Sequence, residues 1–219
     1  FVIFFTVRQG DISYYGDFDE FVMRLTSDDL ESFSVDSTVI VEAQLDWEGS
    51  EIENWGVINI DETFYMSLES RGPSQKSEDR SIGYAASNNL LNWRRVGEQP
   101  SITGGVCCSS FFVFEDYFYS ISAAGNRFAV HRAKDFLELT DKNLIGFFYP
   151  HDKNYQGVVD TPEVLTVNNE KSLLIEDEFT FMFSSTRGGI INSMVSKDGW
   201  VTEYIIFANA QSFLSNLQK

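Results

Sequence analysis

Apolar and polar residues alternate over short stretches along the whole chain. Examples are Val57-Ile-Asn-Ile60, Thr63-Phe-Tyr-Met66, Phe111-Phe-Val-Phe114, Tyr117-Phe-Tyr119, Phe179-Thr-Phe-Met-Phe183 and Tyr204-Ile-Ile-Phe207. Gly, Asn, Asp and Ser separate them, which is the pattern of half-buried strands joined by turns. Sustained 3.6-residue periodicity is rare, and the best helical stretch is the tail from Asn209 to Lys219. The expected fold class is all-β.

The runs also recur as longer units. Val22–Phe33 can be laid over Ile82–Trp93, Phe128–Leu139 and Ile191–Thr202, at offsets of 60, 46 and 63 residues. Each segment opens on an apolar residue. Each has a small residue in sixth place (Ser27, Ser87, Ala133, Ser196) and Asp or Asn in eighth (Asp29, Asn89, Asp135, Asp198). This describes a strand ending in a turn whose own side chains satisfy its backbone, so these acids read as structural. Repeats of roughly 50–60 residues with about four strands each are propeller blades. The expectation is a single β-propeller domain over residues 1–208, with four-stranded antiparallel blades, four to five in number and incomplete, and a C-terminal tail over 209–219. The drafted strands for blade one are Phe1–Arg8, Phe21–Ser27 and Ser37–Leu45, without a first strand. For blade two they are Trp55–Ile60, Phe64–Glu69, Ile82–Ser87 and Arg94–Val96. For blade three they are Ser109–Phe114, Phe118–Ser122, Phe128–Arg132 and Leu144–Tyr149. For blade four they are Glu163–Val167, Phe179–Ser184, Ile191–Val195 and Val201–Ala208.

Composition narrows the function. In 219 residues there are 33 Asp plus Glu against 16 Lys plus Arg, a net charge of -17. That leaves little from which to build a phosphate-tracking basic patch, so nucleic acid is not an expected partner. An anionic membrane surface is disfavoured for the same reason, and no apolar run approaches the ~20 residues that span a bilayer. The start, Phe1-Val-Ile-Phe-Phe5, lacks a basic segment and a small-residue cleavage site, so it does not read as a signal peptide. A leading Phe in place of Met points to something upstream removed or never built, and the compartment stays open. Aromatic content of 15%, with 20 Phe, suits strands.

Common catalytic signatures are missing. Cys107 and Cys108 are adjacent and read as two buried thiols, since strand neighbours point to opposite faces. With only His131 and His151, a zinc site is not expected. No phosphate loop or nucleophile elbow is present. No cofactor is expected. The many acids would allow a structural calcium ion, with nothing to fix its ligands.

In a four-stranded meander the blade connections and the loops between second and third strands share one face, and the repeated turns lie on the other. The first face collects Asp46–Trp55, Pro150–Thr161, the loop from Ser70 to Arg80 and the stretch with Arg187. Trp47, Trp55 and Tyr155 can stack on a sugar ring there while polar groups such as Arg80 and Arg187 read hydroxyls. Acids on this face can supply the carboxylate pair that glycoside hydrolysis needs, one to protonate the leaving oxygen and one to activate water or attack.

Ile82-Gly-Tyr-Ala-Ala-Ser-Asn-Asn-Leu-Leu-Asn-Trp93 and the preceding Val57–Met66 hairpin resemble the blade scaffolding of five-bladed propeller glycosidases. These are the arabinanase- and xylosidase-type enzymes of glycoside hydrolase family 43, with their invertase and mannoside-phosphorylase relatives. The match covers about residues 52–97. The resemblance implies a central pocket with three carboxylates (a general base, a general acid and an orienting helper) from the first strands of three blades. It places Asp160, in Asp160-Thr-Pro-Glu163, at the acid's position, and Glu53 or Asp46 as the acidic residue of blade two. Blade three offers Cys108-Ser109 instead of a carboxylate. The expected function is therefore a carbohydrate-active propeller, a glycoside hydrolase or its inactive relic, with an oligosaccharide or glycan as partner. The alternative is a non-catalytic propeller that binds a glycan or a protein. A lower-ranked sialidase-like reading would use Arg80, Arg127 and Arg187 on a carboxylate. An open blade edge invites pairing, so a homodimer or closure by the C-terminal tail is expected.

Overall fold

The computed structural model describes residues 1–10, 18–36, 38–74, 76–151, 159–164, 174–175, 178–186, 200–207 and 209–219. The chain divides into two compact units, Phe1–Gly104 and Gly105–Lys219. Each holds two four-stranded antiparallel sheets.

In the first unit, one sheet is built from β1 (Val2–Gly10), β2 (Phe18–Thr26), β3 (Ser34–Val35) and β4 (Val41–Glu42). The two short strands β3 and β4 both pair with β2, opposite its two halves. The second sheet runs in chain order, β5 (Glu53–Ile60), β6 (Thr63–Ser70), β7 (Ser81–Ser87) and β8 (Arg94–Val96). Val22, Val41, Ile52, Met66, Leu68 and Ala85 form the core between these sheets, with Phe4 and Trp93 meeting edge to face at 5.6 Å. Alternation along each strand sends these side chains inward and the intervening polar ones outward.

The repeated turn has the geometry its residues demand. Ser27 Oγ accepts from Leu30 N at 2.8 Å, and Asp29 Oδ1 accepts from Glu31 N and Ser32 N, each at 2.8 Å. Ser87 and Asn89 repeat the arrangement, Asn89 Oδ1 accepting from Leu91 N at 3.0 Å and Asn92 N at 2.9 Å. The leucine between takes a positive φ in both, 64° at Leu30 and 60° at Leu90. In the third segment Asp135 accepts from Leu137 N and starts a single 3-10 turn. The fourth segment lies almost wholly outside the described residues.

In the second unit, β9 (Cys107–Phe114), β10 (Tyr117–Ala124), β11 (Arg127–Ala133) and β12 (Leu144–Phe148) form one meander. The other sheet contains β13 (Val159–Val164), β14 (Leu174–Ile175), β15 (Glu178–Thr186) and β16 (Trp200–Phe207). Here β16 pairs directly with β15, Phe179 opposite Phe207, and the third strand drafted for this blade, Ile191–Val195, lies outside the described residues. The helix α1 (Ala210–Ser215) puts Phe213 among Phe148, Phe181 and Phe207, with ring centroids 5.2, 5.9 and 5.3 Å away. Asn209 caps it, accepting from Ser212 N at 2.8 Å. Beyond the helix, Gln218 exchanges backbone hydrogen bonds with Phe147 at 2.7 and 2.8 Å. The tail thus pairs with β12, an edge strand of its sheet, and covers what would otherwise invite another chain.

Candidate functional site: a carboxylate and guanidinium cluster in the first unit

One end of the first unit's sheets carries an unusual concentration of buried charge. Glu20 opens the core-facing half of β2, Glu53 begins β5, and Glu69 lies opposite Glu53 near the end of β6. Arg8, opposite Glu20 across β1 and β2, donates from Nε to Glu20 and from Nη2 to Glu53, the latter at 2.6 Å. Arg71 pairs with Glu51 at 3.2 Å, and Arg80 with Glu69 at 3.2 Å. Glu20, Glu51, Glu53 and Glu69 are all buried. A buried charge persists only when paired and hydrogen-bonded, and like charges directly opposite on two strands repel. The guanidinium groups answer both demands.

This cluster holds four carboxylates and three guanidiniums. Glu20 takes the consequence. Its side chain has no exposed surface, and its Oε2 is buried without a hydrogen-bond partner. Burial first, and the neighbouring charge of Glu53 second, push its carboxyl up to about 7, against the opposing pull of Arg8. Near neutrality Glu20 therefore holds a proton part of the time. Glu53 keeps a partly exposed side chain, 10%, and Arg8 one that is 45% exposed. Solvent reaches the pair Arg8 and Glu53, with Glu20 behind them. With each carboxylate already held by an arginine, this donor set fits an ion-pair network better than the oxygen cage of a calcium ion.

Of the other residues singled out from sequence, Asp46 is exposed at the start of a one-turn 3-10 helix, Asp46–Glu48. Trp47 is half-buried, and its ring lies so close over Gly83 that a Cβ there would sit 2.6 Å from the indole. Arg80 is half-buried on Glu69. Glu53 and Arg80 are thus brought into one cluster, while Asp46 and Trp47 belong to the neighbouring turn. Trp55 is the extra residue of a β-bulge between Asn54 and Gly56, and its side chain lies outside the description. Tyr155 and Arg187 fall outside the described residues.

Asp160 lies on β13 of the second unit, opposite Ser184, and its side chain is not described. The two residues after it, Thr161 and Pro162, bulge before pairing resumes at Glu163. The first strand of the preceding sheet does the same at Cys108, between Cys107 and Ser109, with φ 54°. So β5, β9 and β13 each carry a bulge near their start. Bulges of this kind re-aim side chains and cluster at functional sites. By this register Asn54 and Cys107 occupy the place that Asp160 holds on β13, one residue before the bulge.

Glu20 and Arg8 were not anticipated from sequence. The available signal was alternation: Glu20 is two residues before Val22, which is fully buried, and so shares its inward face.

No family model matches the sequence, and no curated protein matches it. Solved structures do match in fold. A Bombyx mori glycoside hydrolase family 32 β-fructofuranosidase aligns with a TM-score of 0.63 at 11% identity, over 94% of this chain and 44% of that one. A Listeria innocua β-1,2-mannobiose phosphorylase, in complex with β-1,2-mannobiose, gives 0.62 at 11%, over 86% and 49%. A thermostable family-43 glycoside hydrolase gives 0.60 at 16%, over 87% and 62%. The chain therefore spans less than two thirds of the length of each of these. The four described sheets and these likenesses establish the fold as an incomplete β-propeller of the kind found in glycoside hydrolases.

Proposed function

We propose that this chain is a carbohydrate-active propeller, a glycoside hydrolase that works with paired carboxylates on an oligosaccharide or glycan. The observation that carries the reading is the clasp of Arg8 on Glu20 and Glu53. It holds one partly exposed carboxylate fixed at the strand ends where blade connections collect. Glu53 is the group in reach of substrate. It takes the proton of an attacking water while the water oxygen bonds to the anomeric carbon and the glycosidic bond breaks. The leaving oxygen takes a proton from a second carboxylic acid. Glu20, with no exposed surface, is a positioning residue: it orients Arg8 and, through its own proton, sets the charge that Glu53 feels.

The test is the pH profile of glycoside turnover. E53Q lowers kcat by about 10²–10⁴. E20Q keeps measurable turnover but moves a limb of the kcat/KM profile lying near pH 7. An E20Q profile superimposable on that of the parent protein would contradict the role given to Glu20.

A further inference from the structure

Among the described residues, Arg127 of the second unit meets two aromatic side chains and pairs with no carboxylate. Arg127 begins β11, just after the tight turn at Gly125, whose φ is 72°. Its Cζ lies 3.8 Å over the centroid of the Phe147 ring, and its Nη1 donates to the Tyr149 hydroxyl at 2.8 Å. The ring fixes the plane of the guanidinium and the hydroxyl fixes its rotation. All three side chains are half-buried. Among the described residues no ion pair involves Arg127.

A held guanidinium differs from a loose one. Its remaining N–H groups form a rigid planar fork that matches a carboxylate in bidentate fashion. Because the aromatic contacts already order the side chain, little rotamer entropy remains to be lost when a ligand arrives. Its position is also informative. Val159 N donates to Gly125 O at 2.8 Å. The turn carrying Arg127 is thereby tied to the first residue of β13, one before Asp160.

We propose that Arg127, stacked on Phe147 and held by Tyr149, is a carboxylate-reading subsite, and that the glycan this protein takes carries an acidic sugar of the uronate class. The inference rests on the carbohydrate reading above and deepens it by naming the substrate class. The recognition is specific to the carboxylate: a neutral sugar has a hydroxymethyl group at that position, which cannot accept two charge-assisted hydrogen bonds.

The experiment is calorimetric titration of the full chain with a matched pair, methyl glucuronide and methyl glucoside, with inorganic phosphate as a third ligand and a panel of neutral oligosaccharides as a fourth arm. The glucuronide is expected to bind about 10-fold more tightly than the glucoside, the scale of one charge-assisted contact. R127Q is expected to abolish that preference while leaving the affinity for neutral oligosaccharides unchanged, and R127K to retain part of it. Equal binding of the two glycosides, or a preference that survives in R127Q, would overturn the inference and leave the carbohydrate reading standing. So would displacement of the glucuronide by an equal concentration of phosphate, because the subsite would then read free anions. Absence of binding by every saccharide would overturn both. Unchanged neutral-sugar affinity in R127Q also reports that the variant is folded.

Discussion

Glu48 is held by several hydrogen bonds within the first unit. It is completely buried. Its Oε2 accepts from Gln44 N at 2.6 Å, Leu45 N at 3.0 Å and Arg95 Nη2 at 3.0 Å, while Arg95 Nε bonds its Oε1. Arg95 also reaches Glu42 O at 2.6 Å, so β8 is fastened to the segment that leaves β4. Removing one partner of such a pair strands the other charge in a dry site. R95M should cost about 3–5 kcal/mol in chemical denaturation, whereas the double variant R95M/E48M should recover a good part of that loss. Equal losses in single and double variants would show that the pair contributes shape and not charge. Sequence hid both Glu48 and Glu20 among 33 acids. Composition cannot separate a solvated carboxylate from a clasped one, because the difference lies in an arginine 12 residues away for Glu20 and 47 away for Glu48. The position of Glu53 at the start of a blade's first strand could be read from sequence, and β5 begins there.

Among the elements, the strands were the most readable. Blade two was drafted as Trp55–Ile60, Phe64–Glu69, Ile82–Ser87 and Arg94–Val96, and the four strands lie there within a residue or two. Their apolar alternation and turn residues agree at every level, as foldable sequences require. The last sheet was less readable: Trp200–Phe207 pairs beside β15, and pairing partners are a tertiary choice that alternation alone does not encode. The tail is a further instance. Its short helix has little periodicity, yet Phe213 is fully buried against the rings of β12, β15 and β16. F213A should therefore cost about 3–5 kcal/mol. A loss under about 1 kcal/mol in thermal or chemical unfolding would mean that the helix merely rests on the sheet.

At the scale of the whole molecule, acid should act on the two units with opposite sign. Glu20 is raised from 4.5 to about 7 in the folded first unit. Folded protein then binds the proton more readily than unfolded chain, so this contribution stabilises below pH 4.5 and is lost as pH rises through 7. His131 is the reverse. It is buried in β11 with Nδ1 lacking a hydrogen-bond partner, and burial pulls it down from 6.5 to about 4 against the charge of Asp141. Unfolded chain binds that proton first, so the second unit loses stability as pH falls from 6.5 towards 4, by on the order of 3 kcal/mol. Hydrogen exchange between pH 4 and 7.5 should show slower opening in the first unit and faster opening in the second as pH is lowered. E20Q and H131N should each flatten the response of their own unit. Parallel responses in the two units would contradict this assignment of buried protons.

A propeller carboxylate fixed by arginine is proposed above to act on a glycosidic bond. Its most direct test is product release from a panel of aryl glycosides and neutral and acidic oligosaccharides, measured for the parent protein and for E53Q under identical conditions. The parent protein should turn over at least one member, and E53Q should lose about 10² or more of that rate. Turnover that E53Q retains in full, or no turnover of any member by the parent protein, would contradict it.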